Sequence, residues 1–92
     1  TQIANEDPIV ILRYFLPDSS KSWYVIECAA EEDDVVFFGL TNAQTQMFRW
    51  EYFLLSHLES KHGLRMELGQ WDLSFQPTQL SKLQELEFFE SH

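Results

Sequence analysis

The chain has 92 residues, enough for one hydrophobic core but not for two. It is 45% hydrophobic and 15% aromatic, which argues against intrinsic disorder. Fifteen acidic and six basic residues give a net charge of −9, which disfavours direct binding to nucleic acids or anionic membranes and favours basic protein surfaces. We therefore predict a single folded domain over residues 1–92.

Cysteine content and hydropathy indicate a cytoplasmic protein. The only cysteine, Cys28, cannot form an internal disulfide, and the sequence has neither a signal-peptide pattern nor an apolar stretch of about 18 residues. Because no positive charge neighbours it in sequence, Cys28 is interpreted as a small core residue rather than a nucleophile.

Apolar runs predict four strands of an antiparallel meander. The turn at Pro17-Asp18-Ser19-Ser20 and the acidic block Glu31–Asp34 separate the first three runs. The runs are Ile9–Leu16, Trp23–Cys28, Val35–Leu40 and the more clearly alternating Met47–Leu54. The aromatic face of the fourth strand, Phe48, Trp50 and Tyr52, is predicted to pack under a helix.

The second half of the chain is predicted to contain two helices. Ser56-His57-Leu58-Glu59 has the capping-box form, and Gly63 is expected to end a helix of about two turns. One bent strand or two short ones are predicted at 64–68 and 73–75. A C-terminal helix is predicted from the three-residue spacing of apolar positions and two candidate N-caps, namely Leu80, Leu83 and Leu86 with Thr78 or Ser81.

The predicted fold class is therefore α+β. It comprises a small single domain with a mainly antiparallel four- to five-stranded sheet (meander), a short helix after strand four and a C-terminal helix. Fraying is expected at the polar residues 1–7. It is also expected at residues 88–92 unless Phe88 and Phe89 dock, because Glu85, Glu87 and Glu90 oppose the helix dipole at that end.

A hydrophobic strand is followed by a turn at Leu16-Pro17-Asp18, a second strand contains Trp23, an acidic turn precedes Phe38-Gly39-Leu40, and the run 51–59 comes next. In these segments the chain resembles a bacterial family of domains of unknown function that is carried largely by plasmids and other mobile elements. The resemblance implies an architecture and a genomic setting, but no reaction and no catalytic residues.

The acidic block Glu31, Glu32, Asp33 and Asp34 is the first candidate site. In an extended chain, four adjacent carboxylates present about one charge per 3.3 Å, close to the phosphate spacing along a DNA strand. Three interpretations remain open: a solvated turn that suppresses edge pairing, a partner-binding or nucleic-acid-mimicking patch, and a cation site. Asp18 and Asp72 are less certain members of the set.

No catalytic motif, phosphate-binding loop or complete metal-ligand set is present in the sequence. His57 and His62 are five residues apart, which places them on different faces of a helix, and a Glu59–His62 pair is more typical of a surface contact than of an acid–base catalyst. The block also lacks the alternating oxygen ligands and the glycine of a calcium loop.

Our hypothesis is a non-enzymatic interaction protein without a cofactor, whose carboxylates bind a basic protein surface. In a more specific form of this hypothesis, the protein is a mobile-element-encoded inhibitor that occupies a basic nucleic-acid-binding groove of a host protein. The alternative is a protein that binds calcium or another divalent cation through the acidic turn, at least weakly. The sequence leaves the partner and the oligomeric state open.

Overall fold

The structure is a computed structural model that describes residues 7–17, 19–60 and 68–83. These residues form seven strands, one helical turn and one 3-10 turn. In chain order they are β1 (Ile9–Val10), β2 (Leu12–Phe15), β3 (Ser22–Glu31), β4 (Asp34–Thr41), β5 (Arg49–Leu54), α1 (Leu55–Leu58), β6 (Gln70–Trp71), β7 (Thr78–Gln79) and the 3-10 turn Leu80–Lys82.

The main sheet has five antiparallel strands in the order β5-β4-β3-β2-β6, so the predicted meander of the first four strands is confirmed. A separate two-stranded ribbon joins β1 to β7. The prediction of one continuous strand over residues 9–16 is therefore wrong, because β1 and β2 belong to different sheets. At Ile11 the chain passes from the ribbon to the sheet, where the Ile11 N–H donates to the Val25 carbonyl at 2.8 Å.

Both faces of the main sheet are apolar, which explains why its strands read as continuous hydrophobic runs. On one face, called the helix face, α1 packs against the sheet. Its buried residues are Tyr14, Leu16, Trp23, Val25, Phe37, Phe53 and Leu58. On the other, called the ribbon face, β1 and the 3-10 turn pack against the sheet. Its buried residues are Val10, Tyr24, Ile26, Leu40 and Phe48.

The α+β assignment is wrong, because the described chain is mostly β and has no long C-terminal helix. Thr78 and Gln79 pair with β1, and the following residues make only one 3-10 turn. A three-residue apolar repeat fits the three residues per turn of a 3-10 helix. Residues 84–92, with Leu86 and the expected frayed end, lie outside the described residues, as do residues 1–6.

The predicted capping box does not form. Helix α1 begins two residues earlier than predicted, has Leu54 as its N-cap without a side-chain bond, and is one turn long. The Ser56 hydroxyl donates instead to Asp34 Oδ2 at 2.6 Å, so a residue of the β3–β4 hairpin takes over the capping role. Gly63 and His62 lie outside the described residues.

Two further predictions are wrong. Residues 73–75 do not form a strand; the short strand is β6, and the Trp71 ring lies 4.8 Å from the Tyr14 ring. The residues 64–67 of the other predicted strand lie outside the described chain. Cys28 is exposed rather than buried, because β3 extends beyond the covered part of the sheet.

Within the part of the chain that the structure describes, no helix covers the aromatic face of β5, contrary to the prediction. Helix α1 lies on the opposite face, where Leu58 packs with Phe53. Trp50 is half-buried on the ribbon face, and Tyr52 is 74% exposed. The strand alternation was therefore read correctly, but it identified only which side chains share a face.

Candidate functional site

The acidic block forms the tip of the β3–β4 hairpin. Glu31 and Asp34 are directly paired across the two strands, so only Glu32 and Asp33 remain in the loop. Glu31, Glu32 and Asp33 are exposed, whereas Asp34 is partly covered. We call the three exposed residues the acidic tip. A two-residue loop joins the paired ends of β3 and β4, so the three charges project together from the end of the hairpin.

Glu32 has φ of 45°, in the left-handed region that side chains with a Cβ rarely adopt. Glycine is favoured at such a position, so a glutamate there costs conformational energy. This is an observed local strain within the acidic tip, and strain of this kind concentrates at functional positions.

Replacing Glu32 by glycine should stabilise the fold. We expect Glu32→Gly to raise the free energy of unfolding by about 0.5–1 kcal/mol, because relief of the left-handed strain exceeds the added chain entropy. Urea unfolding measures the change. Asp33→Gly is the matched control, since it also places glycine in the loop and removes one charge. Equal stabilisation by both variants would show that the φ of Glu32 is not the cause.

Asp34 has a structural role. Its carboxylate accepts hydrogen bonds from the Val35 N–H at 2.8 Å, the Ser56 N–H at 3.1 Å and the Ser56 hydroxyl. The Ser56 hydroxyl, followed by the two N–H groups, lowers the pKa of Asp34 below its usual value. Asp34 therefore joins the hairpin to α1. Because its carboxylate is hydrogen-bonded within the fold, it is less available to bind a partner than the carboxylates of the acidic tip.

Because the pKa of Asp34 is lowered in the folded protein, its contribution to stability is expected to depend on pH. The stabilisation from this carboxylate is present above about pH 4 and is lost as the pH falls through the lower folded-state pKa. We expect wild type to be more stable than Asp34→Asn at neutral pH, and the difference to shrink in acid. Urea unfolding at about pH 7, 4 and 2.5 tests this. Asp33→Asn is the matched charge control, and a difference for Asp34→Asn that stays constant with pH would contradict the prediction.

Two other aspartates are bonded to serines in the same way. The Asp7 carboxylate accepts from the Ser81 N–H and hydroxyl at 2.9 and 2.8 Å. Asp72 accepts from the Ser74 N–H and hydroxyl at 3.1 and 2.8 Å. Asp7, Asp34 and Asp72 therefore connect chain segments through hydrogen bonds, whereas Asp33 is exposed to solvent.

Asp72 does not join the acidic tip. It lies beside Arg13 of β2, with Oδ2 at 3.3 Å from Arg13 Nη1, and its pKa is lowered by the Ser74 hydroxyl first and by Arg13 to a smaller extent. Arg13 is level with Tyr24 on β3, and Glu31 is seven residues farther along that strand, roughly 20 Å away. Asp18 lies outside the described residues.

Arg13 is a residue whose position the sequence analysis did not address. It lines an open cleft of about 430 Å³ together with Ser19, Ser20 and Ser22. Its guanidinium donates to Asp72, to the Ser22 hydroxyl at 3.3 Å and to the Tyr24 hydroxyl at 3.2 Å. These bonds make Arg13 a link between β2, β3 and Asp72, the residue that follows β6, so the Arg13 guanidinium is engaged within the fold.

The described residues contain no group of three His, Cys, Asp or Glu side chains that could hold a metal ion. His57 and Glu59 are exposed, and His62 lies outside the described chain. The cation-binding alternative therefore has no described cluster to support it.

In residues 7–17, 19–60 and 68–83, no helix has the length and apolar character needed to cross a membrane.

The fold and the site define a small, mostly β domain that presents an acidic hairpin tip. The chain matches the family described as "Protein of unknown function (DUF2958)" over residues 1–86, and it belongs to that family. The comparison with curated proteins found no match. The comparison with solved structures also found none.

Proposed function

We propose that the protein is a non-enzymatic, acidic interaction protein of the cytoplasm whose acidic tip binds a basic surface of a partner protein. In its specific form, the partner surface is a nucleic-acid-binding groove of a host protein, and the protein is an inhibitor encoded by a mobile element. The sequence resemblance supports the mobile-element origin.

The observation that carries the proposal is the geometry of the acidic tip. Glu31, Glu32 and Asp33 are consecutive and exposed, and no ion pair found in the described chain engages them. Asp34 and Asp72, in contrast, are bonded within the fold. A cluster of solvated carboxylates on a chain of net charge −9 attracts basic surfaces and repels nucleic acids.

Capture from a host lysate, followed by affinity measurement with the captured protein, tests the proposal. Affinity should fall steeply as salt is raised from about 50 to about 200 mM, because charge pairs between exposed groups are screened. Nucleic acid should compete for the same partner if the groove is occupied. Binding that is indifferent to salt would contradict the charge mechanism, and absence of competition would contradict the groove.

Paired variants locate the contact. Glu32→Gln combined with Asp33→Asn removes two charges from the acidic tip and leaves the structural Asp34 in place. We expect about a tenfold loss of affinity at low salt. Glu51→Gln combined with Glu59→Gln removes two charges elsewhere and is the matched control. Equal losses for the two double variants would show that net charge, and not the acidic tip, governs binding.

A further inference from the structure

An uncovered apolar surface lies next to the acidic tip on the ribbon face. β1 and the 3-10 turn cover the part of this face around Tyr24 and Leu40. Nearer the acidic tip, the strand register places residues in rows across β3, β4 and β5. The rows are Glu27–Phe38–Tyr52, then Ala29–Val36–Leu54, then Glu31–Asp34.

The five apolar members of the first two rows form what we call the apolar patch: Ala29, Val36, Phe38, Tyr52 and Leu54. Tyr52 is 74% and Leu54 42% exposed. The Phe38 ring lies 4.6 Å from the Tyr52 ring and packs parallel to the Trp50 ring at 5.5 Å. Ala29, Val36, Phe38 and Tyr52 also border a shallow depression of about 100 Å³. An aromatic residue so exposed on an ordered strand is typical of an interface anchor.

The apolar patch and the acidic tip are continuous. Glu31 follows Ala29 by two residues on β3, a distance of about 7 Å along a strand. Side chains two residues apart on a strand point to the same face, so the surface changes from apolar to acidic within one row. The neighbouring charge determines what kind of molecule can cover the apolar side chains.

We infer that the apolar patch and the acidic tip together form one docking surface for a basic amphipathic segment of the partner protein. Apolar side chains of that segment cover Tyr52 and Leu54, and its Lys or Arg side chains meet the acidic tip. This inference rests on the proposed function and adds the apolar half of the contact. A second copy of the chain fits less well, because two acidic tips and two chains of charge −9 would repel each other.

Three synthetic probes separate charge from shape. The first is a helix-forming peptide of Leu and Lys with the leucines on one face. The second has the same composition in an order that disperses the leucines, and the third is oligolysine of equal charge. We expect the amphipathic peptide to bind wild type at least about tenfold more tightly than either other probe at physiological salt. Equal affinity for the amphipathic and dispersed peptides would overturn the inference.

Variants of the apolar patch assign the contact. Tyr52→Ser should weaken binding of the amphipathic peptide about tenfold and leave oligolysine binding unchanged. Leu73→Ser is the matched control, because Leu73 is 96% exposed and lies outside the patch. Amide chemical-shift changes in wild type should appear at Ala29, Val36 and Leu54, which keeps the test decisive if Tyr52→Ser does not fold. Shift changes confined to the acidic tip would overturn the inference.

The two proposals fail in different ways. If oligolysine binding ignores both salt and the Glu32→Gln, Asp33→Asn double variant, the charge mechanism of the proposed function is wrong. If that binding responds to both but Tyr52→Ser has no effect on the amphipathic peptide, only the role of the apolar patch is wrong.

Discussion

Gly39→Ala is expected to destabilise the fold by about 3 kcal/mol or more, the largest effect of any substitution considered. A Cβ at this position in β4 would lie 1.8 Å from the Tyr24 carbonyl oxygen and 3.0 Å from Val25 Cα. Both are backbone atoms of the central strand β3, so no side-chain rotation relieves the overlap. The two strands would have to separate at the position where the register shifts between Val25 and Glu27.

Whether Gly39→Ala lowers or raises the free energy of unfolding distinguishes steric overlap from the ordinary preference for alanine over glycine in a strand. In a strand without steric conflict, alanine is more stable than glycine by about 0.5–1 kcal/mol. Ala29→Gly, in the exposed part of β3, is the control and should cost about that amount. Urea unfolding and near-ultraviolet circular dichroism measure both variants. Failure of Gly39→Ala to fold agrees with the steric overlap, whereas a stability equal to or above wild type would disprove it.

Leu58→Ala is expected to cost about 3 kcal/mol, within the range found for buried leucines. Leu58 is fully buried and carries the contact of α1 with the helix face. The Tyr14 hydroxyl donates to the Leu58 carbonyl at 2.6 Å, and burial, with a smaller contribution from Glu59, raises the Tyr14 pKa. The hydroxyl therefore remains a donor at neutral pH, and the backbone of α1 stays attached when the Leu58 side chain is shortened.

Leu54→Ala provides the comparison for this prediction. Leu54 is four residues earlier and 42% exposed on the ribbon face, so its truncation should cost less than about 1 kcal/mol. Urea unfolding of both variants under the same conditions gives the difference. Similar losses for Leu54→Ala and Leu58→Ala would mean that α1 contributes little to the core of the helix face.

The central part of the fold was predictable because it depends on local signals. β-branched and aromatic runs located the strands that became β2 to β5, and turn residues between them indicated antiparallel pairing. The short strands β6 and β7 were missed or assigned to helix. Two-residue strands have almost no pattern of their own and exist because a distant strand pairs with them, as β1 does with β7.

The candidate site was predictable only as a cluster of charge. A solvated turn was one of three interpretations that the sequence left open for all four residues Glu31–Asp34, since adjacent carboxylates are rarely buried. Nothing in the sequence indicated that Asp34 would bond to Ser56, because the two are far apart in the chain. The capping box at Ser56 was wrong for the same reason, since the tertiary contact competes with the local one.

The sequence by itself determined an acidic chain, rich in apolar residues, whose central strands form a meander, because composition, strand propensity and turn chemistry act over a few residues. The tertiary structure decided which aspartates fasten the fold and which carboxylates face solvent. It also decided that α1 covers one face of the sheet while Tyr52 and Leu54 stay uncovered on the other. Such outcomes depend on which distant segments meet, and the alternation of side chains along a strand does not specify what packs on each face.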